Sequence, residues 1–305
     1  MKVNLLLFAT TYNTIMKRAN NNGIAKQTTL FGMWGKKKSN GLDDIGVDTA
    51  SNGKKQHNTS PHWENVSLPN GPMLLLHKHI GGNTSLERRH TKEVLSSLPN
   101  WNDNVTFQIF GKECKMRRRI CQFSTDGKIE YSYSGLKKVD APSFPDVLYK
   151  LKCQVESLII DYILDITKDG SEINTENSIP PEFIKLARSI KNSKGDEKGE
   201  IYNYCLLNHY RNGEEYMGYH ADDEASMQQS IPIASVSLGI TRSFDIRPRK
   251  KDSDGKRKRV VRISLSDGDL LLMFAPMQQH YEHSIPVEKK VVGDRINLTF
   301  RRIIT

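Results

Sequence analysis

The last third of the chain, from Ile201 to Ile304, consists of short apolar segments separated by turn residues. These segments are YNYCLLNHY, IASVSLGI, SFDIRPR, VVRISLS, DLLLMFA and INLTFRRI. Many short strands with turns between them are typical of a β-sandwich or β-barrel. The sequence contains no G-x-G-x-x-G or G-K-[ST] loop, which disfavours a nucleotide-binding α/β domain. We therefore predict a mainly β fold for this part of the chain.

Helical and polar segments flank the predicted strands. FPDVLYKLKCQVESLIIDYILDI, which follows two prolines, and PEFIKLARSIKN both have helical character. VTFQIFGKE and GKIEYSYSGLKK are typical of strands bounded by glycine turns. The predicted fold class is mainly β with flanking helices (α+β). We divide the chain into a tail (1–60) and a globular domain (61–305), with a polar insertion at about 167–199 and a β core at about 201–304.

The predicted tail, residues 1–60, is rich in Asn, Lys, Gly, Ser and Thr from about residue 17 and cannot bury enough apolar surface to order itself. One apolar island, Gln27 to Trp34 (QTTLFGMW), interrupts it. Its pattern of Gln27, Leu30, Met33 and Trp34 resembles the peptide that binds the replication sliding clamp PCNA, which prefers an aromatic residue at the position of Met33. Docking of this segment on the chain's own domain is the alternative.

Charge and cysteine content limit the partners and the compartment. The chain has 45 Lys and Arg against 35 Asp and Glu, a formal net charge of +10, which favours a polyanionic partner such as nucleic acid. Four scattered cysteines with no C-x-x-C pair suggest neither a zinc knuckle nor a disulfide framework, and indicate a reducing compartment. No apolar run approaches the roughly 20 residues that span a bilayer, so we expect no membrane partner.

The segment YMGYHADDE carries the first candidate metal ligands. Residues two apart on an extended strand share a face, so His220 and Asp222 can reach one ion, whereas Asp223 faces the other way. His280 and His283 in QQHYEHSIPV are the candidates for a third ligand. Two histidines and one carboxylate form the facial triad of non-haem Fe(II) oxygenases. An exposed H-x-D sequence that binds no metal is the alternative.

The C-terminal segment DRINLTFRRI predicts a strand with two different faces. Ile296, Leu298 and Phe300 form an apolar face. The other face carries two guanidiniums, an amide and a hydroxyl, from Arg295, Asn297, Thr299 and Arg301. Arginine is suited to bidentate binding of carboxylates, so this face predicts a site for a small dicarboxylate. A structural ion pair for one of the two arginines is the alternative.

Taken in order, LNHYRNG, YHADDE, PIASVSLG, HSIPV and RINLTFR resemble the AlkB family of Fe(II)- and 2-oxoglutarate-dependent dioxygenases, above all the branch that repairs alkylated bases in duplex DNA. The resemblance covers residues from about 99 to 303. It implies a double-stranded β-helix (jelly-roll) core. It also implies that iron is held by His220, Asp222 and His283. The residues implied to hold 2-oxoglutarate are Asn208, Tyr210, Arg295, Asn297, Thr299 and Arg301.

The activity that the resemblance implies is oxidative dealkylation of bases such as 1-methyladenine and 3-methylcytosine, preferentially in duplex DNA. The reaction uses Fe(II), 2-oxoglutarate and O2 and releases formaldehyde, succinate and CO2. Demethylation of single-stranded DNA or RNA is one alternative, and a non-catalytic jelly roll that binds nucleic acid is another. We expect a nuclear protein that acts as a monomer.

Base recognition is expected within residues about 99–140. The resemblance places Tyr131, Tyr133 and Ser134 of EYSYSG at a pocket for a flipped base. FQIFGK resembles an apolar finger that enters the duplex, with Ile109 and Phe110 at its tip. Packing of the tyrosines and of this segment on ordinary sheet faces is the alternative.

Other expected nucleic-acid contacts lie outside that region. Asp223 resembles a residue that contacts the exocyclic group of the base. The basic segment RPRKKDSDGKRKRVVR, with Lys256 near its centre, suits phosphate contacts, as do KMRRR, Lys289 and Lys290. Glu288 departs from the family pattern, which has a basic residue there.

Overall fold

A computed structural model of the chain describes residues 63–68, 73–77, 79–109, 112–131, 139–168, 179–193 and 199–304. The strands that precede the core are β1 (Glu64–Ser67), β2 (Met73–His77), β3 (Thr106–Ile109), β4 (Lys112–Lys115), β5 (Arg119–Ser124), β6 (Glu130–Tyr131) and β7 (Val139–Asp140). The strands of the core are β8 (Tyr204–Tyr210), β9 (Met217–His220), β10 (Ile233–Gly239), β11 (Arg242–Pro248), β12 (Val261–Leu265), β13 (Leu270–Met273), β14 (Tyr281–Ile285) and β15 (Arg295–Arg301). The helices are α1 (Ser85–Ser96), α2 (Asp146–Ile166), α3 (Pro181–Asn192) and α4 (Ala275–His280).

Strands β8 to β15 are divided between two antiparallel sheets, the larger of which also contains β1, β2 and β5. The larger sheet has the order β1-β2-β13-β10-β15-β8-β5, and the smaller has the order β12-β11-β14-β9. Every connection from β8 to β15 crosses between the sheets, except the hairpin that joins β11 to β12. This alternation is the winding of a jelly roll. The predicted mainly β fold with flanking helices is therefore confirmed.

Strand β15 is buried along its whole length. It lies between two hydrophobic clusters, one on each of its faces. Its apolar residues Ile296, Leu298 and Phe300 are fully buried in a cluster with residues of α2 and α3. Its polar residues face the space between the two sheets, where Leu206 and Phe244 pack. Full burial of one large apolar side chain contributes about 1.5–3 kcal/mol to folding. The strand alternation predicted from the sequence is thus what places the polar face inside the barrel.

The helices agree with the sequence in two places and differ in two. Helix α2 begins directly after Pro145, and α3 spans the predicted segment PEFIKLARSIKN. Helix α1 was not predicted, although a capping box marks its start: Thr84 Oγ1 accepts from Glu87 N at 3.2 Å, and Glu87 Oε2 accepts from Thr84 N at 3.1 Å. The short α4 was not predicted either, since it spans less than two turns.

Several predicted features lie outside the described residues. They are the whole tail (1–60) with its island Gln27–Trp34, the finger residue Phe110, and the pocket residues Tyr133 and Ser134. Tyr131 and Ile109 are described through their backbones only: Tyr131 ends β6, and Ile109 pairs with Lys112 in the β3–β4 hairpin. In the described ranges, no helix has both the length and the apolar character that a membrane crossing requires.

A buried ion network fastens α2 to the start of β8. The Lys152 ammonium lies 3.2 Å from Glu156 Oε1 and 2.9 Å from Glu200 Oε2, and its side chain is 3% exposed. Glu156 Oε1 also accepts from the backbone N–H groups of Ile201 and Tyr202, at 3.0 and 2.8 Å. Burial raises the pKa of Glu156, and the Lys152 charge opposes that rise. Removing Glu156 therefore takes away one of two carboxylate partners of Lys152 and the acceptor of two buried backbone N–H groups.

Glu156→Ala should lower the free energy of unfolding by about 3–5 kcal/mol, because it leaves two buried backbone donors unsatisfied and removes one of the two carboxylates that pair with Lys152. The matched control on the same helix is Asp161→Ala, which removes an ion pair to Lys191 whose side chains are both 56% exposed. That loss should be under about 1 kcal/mol. Urea denaturation measures both, and similar losses for the two variants would contradict the assigned role of the network.

Candidate functional site

Two histidines face each other on neighbouring strands of the smaller sheet. His220 at the end of β9 is the register partner of His283 on β14, and their ring centroids lie 4.2 Å apart. His220 Nε2 is 3.7 Å from Asp222 Oδ1, and His283 Nε2 is 3.8 Å from Asp222 Oδ2. The ligand atoms of the three residues all lie within 4.8 Å of one another. This arrangement lets one metal ion contact all three side chains.

The structure corrects how Asp222 reaches the two histidines. Strand β9 ends at His220, so Asp222 lies in the following loop and strand alternation does not place it. Its backbone N–H donates to Gln278 Oε1 at 2.9 Å, and its Oδ1 accepts from Arg301 Nη2 at 2.8 Å. Contacts from distant parts of the chain therefore position this carboxylate.

The three groups have the protonation states that a divalent metal requires. Burial lowers the pKa of His220, and burial together with the neighbouring His220 lowers that of His283 to about 3, so both imidazoles are neutral. Burial acts to raise the pKa of Asp222, but chiefly the charge of Arg301, together with its hydrogen bond to the carboxylate, outweighs it and holds the value at about 2. The hydrogen bond from His220 Nδ1 to Gly218 O, at 2.9 Å, leaves Nε2 with a free lone pair.

A polar cavity adjoins the His220, Asp222 and His283 side chains inside the barrel. It is lined by all six residues expected to hold 2-oxoglutarate: Asn208, Tyr210, Arg295, Asn297, Thr299 and Arg301. Met217, Phe244 and Ile285 supply part of its apolar wall. His280, the other candidate for a third ligand, is exposed at the end of α4 and does not line the cavity.

The two arginines of β15 differ in their partners. Arg295 is 1% exposed and donates from Nη2 to Ser237 Oγ at 2.8 Å. Its Nε and Nη1 have no hydrogen-bond partner among the described residues, and burial lowers its pKa to about 10. A buried guanidinium with open donors fits a carboxylate ligand. Arg301, by contrast, binds Asp222, so the structural ion pair considered for one arginine is present.

The remaining polar residues of the cavity are held by one another. Asn297 Nδ2 donates to Ser235 Oγ at 2.8 Å, and Asn297 Oδ1 accepts from Thr299 Oγ1 at 3.1 Å. Asn208 Oδ1 accepts from Arg118 Nε at 2.6 Å. Arg118 is 6% exposed, so one of the arginines in KMRRR faces inward rather than toward phosphates. Its neighbours Arg117 and Arg119 are exposed and half-buried. A run of like charges in the sequence does not indicate which of its members is buried.

The residues expected to contact DNA outside the cavity are exposed. Lys256 lies in the β11–β12 hairpin, and Lys289 and Lys290 follow β14. The Asp223 side chain is 47% exposed, accepts from Arg249 Nη1 at 2.5 Å and does not line the cavity. Its expected contact with a base stays a prediction.

Glu288, which departs from the family pattern, forms hydrogen bonds with strand β11 of the smaller sheet. It accepts from Arg242 Nε at 3.0 Å and from Ser243 Oγ at 2.8 Å. The close packing of this loop is visible at Gly213, where an added Cβ would lie 2.0 Å from the Glu288 carbonyl oxygen. A carboxylate at position 288 thus has a structural partner in the buried Arg242.

Comparison with known proteins agrees with this geometry. The family model of the 2OG-Fe(II) oxygenase superfamily matches residues 72–301. The chain therefore belongs to the 2OG-Fe(II) oxygenase superfamily, a family whose members use Fe(II) and 2-oxoglutarate.

Its relatives are named as AlkB homologues, which confirms the resemblance seen in the motifs. The chain is 42% identical over 129 residues to the DNA oxidative demethylase ALKBH2 of Homo sapiens, covering 41% of this chain and 49% of that protein. It is 35% identical over 126 residues to the human alpha-ketoglutarate-dependent dioxygenase alkB homolog 3, covering 40% and 44%. It is 28% identical over 218 residues to ALKBH2 of Arabidopsis thaliana, covering 65% and 57%. The chain thus spans about half the length of the curated relatives it matches.

Anaerobic Fe(II) should raise the melting temperature of the protein, because a ligand that binds only the folded state stabilises it by about 2.7 kcal/mol at 100 times its dissociation constant. His283→Ala should lose this stabilisation, since it removes one of three ligands. His280→Ala is the control, because it deletes an exposed histidine three residues away. An equal thermal shift in both variants would rule out the assigned metal site.

Proposed function

We propose that this protein removes N-alkyl groups from bases in DNA by Fe(II)- and 2-oxoglutarate-dependent oxidation, preferentially in duplex DNA. One observation carries the proposal: the buried Arg295, with two open donor atoms, shares a cavity with the His220, Asp222 and His283 cluster. A metal and a dicarboxylate together satisfy the groups in this cavity. The names of the relatives, DNA oxidative demethylase among them, support DNA as the substrate.

Each group of the cavity has a defined task in this reaction. His220, Asp222 and His283 hold the metal through two neutral imidazoles and one carboxylate, and Arg301 keeps that carboxylate ionised and oriented. Arg295 binds one carboxylate of 2-oxoglutarate, while Asn208, Tyr210, Asn297 and Thr299 shape the rest of its site. The ring centroid of Tyr210 lies 5.5 Å from the guanidinium carbon of Arg295, so the ring packs beside this charge.

When bound, Fe(II) and 2-oxoglutarate supply the chemistry that activates O2, with succinate and CO2 as products. Hydroxylation of an N-methyl group then gives a hemiaminal, which releases formaldehyde and the unmodified base, such as adenine from 1-methyladenine or cytosine from 3-methylcytosine. This chain needs no nucleophile for that release. Its residues bind and orient the reactants, and the apolar wall at Phe244 and Ile285 limits water around the metal ligands.

DNA recognition follows from the same proposal. A base in a duplex must be flipped out to reach a site inside the barrel. Tyr131, Tyr133 and Ser134 are proposed to hold that base, and Ile109 and Phe110 to enter the gap that it leaves. The β3–β4 hairpin, in which Ile109 pairs with Lys112, supports a finger-like projection here. Lys256, Lys289 and Lys290 are proposed to bind phosphates.

The cellular context is also part of the proposal. A DNA substrate implies a nuclear location, and Gln27–Trp34 is proposed to bind the sliding clamp PCNA. The enzyme is proposed to act as a monomer.

Formaldehyde release from methylated duplex DNA, single-stranded DNA and RNA, measured side by side, tests the substrate. We expect the duplex to be the best substrate and its advantage to be lost in Phe110→Ala, because an intercalated side chain holds the flipped state only in a duplex. Equal rates on single strands would exclude the duplex preference. Absence of formaldehyde from all three, with metal bound, would favour a non-catalytic jelly roll.

Arg295→Ala should raise the KM for 2-oxoglutarate at least tenfold, because a hydrogen bond between charged groups contributes roughly 1.5–3 kcal/mol. Arg295→Lys should recover part of the loss, since lysine keeps the charge but not the planar fork. Steady-state kinetics with varied 2-oxoglutarate separates KM from kcat. An unchanged KM in Arg295→Ala would show that the cosubstrate binds elsewhere.

A further inference from the structure

Arg249 joins the loop that carries Asp222 to helix α4. Its Nη1 donates to Asp223 Oδ2 at 2.5 Å and to the Gln278 carbonyl oxygen at 2.9 Å. Its backbone N–H donates to the His280 carbonyl oxygen at 2.8 Å. One guanidinium at the start of the β11–β12 hairpin therefore bonds to two separate segments beside the metal-ligand cluster.

Both segments hold Asp222 in place. Asp223 is its neighbour in the chain, and Gln278 Oε1 accepts from the Asp222 backbone N–H at 2.9 Å. Gln278 is 2% exposed, and its amide nitrogen lies 3.7 Å from Met273 Sδ. Since Asp222 lies beyond the end of β9, these bonds take the place of a strand pairing in fixing its backbone. Arg249 therefore contacts both Asp223 and Gln278, the two residues that hold the Asp222 backbone.

We propose that Arg249 is a positioning residue for the metal site, which holds the Asp222 loop through Asp223 and Gln278. The inference rests on the proposed function, because it assumes that Asp222 is a metal ligand. It also gives the Asp223 carboxylate a task other than contact with a base, since that carboxylate is already bound by Arg249.

The predicted effect falls on metal affinity rather than on folding. The Arg249 and Asp223 side chains are 40% and 47% exposed, and exposed ion pairs contribute under about 1 kcal/mol to stability. Residues that orient a metal ligand matter more for binding: their loss weakens metal affinity about 10–100-fold. Arg249 acts through two intermediate residues, so the lower end of that range is expected.

The test is the dissociation constant of Fe(II), measured by anaerobic titration calorimetry on the full chain. Arg249→Ala and Asp223→Asn should each bind Fe(II) about tenfold more weakly, and Arg249→Lys should recover part of the loss. The double variant should be no weaker than Arg249→Ala alone, because both changes remove the same link. Arg257→Ala is the control: it deletes another arginine of the same hairpin, whose partner is Glu282 at 3.0 Å.

Three results would overturn the inference. They are Fe(II) binding by Arg249→Ala that matches the unchanged protein, an equal loss in Arg257→Ala, and a change in base preference in Asp223→Asn without a change in Fe(II) affinity. The melting temperature of each variant accompanies the titration, and Arg249→Lys and Asp223→Asn carry the test if Arg249→Ala does not fold. Absence of Fe(II) binding in the unchanged protein would overturn the proposed function itself, and this inference with it.

Discussion

The burial of strand β15 on both faces ties the fold to the site. Its outward row, Ile296, Leu298 and Phe300, packs under α2 and α3, while its inward row carries the guanidiniums of Arg295 and Arg301. A register shift of one residue would press both charges into the helix interface and fill the cavity with apolar side chains. The packing that stabilises the barrel therefore also fixes the polar lining, and neither can change without the other.

Charge balance inside the barrel links the metal to its cosubstrate. Two buried guanidiniums, Arg295 and Arg301, line the cavity, and Asp222 is the one carboxylate among its lining residues. A divalent cation adds positive charge to an interior that already has an excess of it, which is costly at low dielectric. A dicarboxylate such as 2-oxoglutarate offsets that excess, and the open donors of Arg295 are where it would bind. The cavity is thus better suited to both ligands together than to the cation alone.

Sequence reasoning succeeded where the chemistry follows the period of a strand and failed where it depends on distant contacts. The two faces of β15 could be predicted from the strand period, whereas the residues left His280 and His283 both open as partners of His220, and only the family resemblance favoured His283. Asp222 was predicted to reach the histidines by strand alternation, but it lies in a loop. Gln278, 56 positions further along the chain, holds it there by accepting a hydrogen bond from its backbone N–H. No pattern in the sequence predicts a hydrogen bond across that separation. The inward position of Arg118 could not be predicted for the same reason, because its partner Asn208 lies 90 positions further along the chain.

The arginines and lysines of the β11–β12 hairpin differ in their partners. Its arginines are engaged with carboxylates: Arg247 with Glu282, and Arg262 in a two-point contact with Asp245 at 2.5 and 2.6 Å. In the part of the chain that the structure describes, Lys250, Lys251 and Lys256 have no carboxylate within ion-pair distance, and all three are exposed. A planar guanidinium suits a fixed carboxylate, whereas a flexible, hydrated ammonium can follow a phosphate backbone without a set geometry. The hairpin therefore uses arginine to hold its own shape, and of its four lysines only Lys258 forms ion pairs with its carboxylates in the described structure.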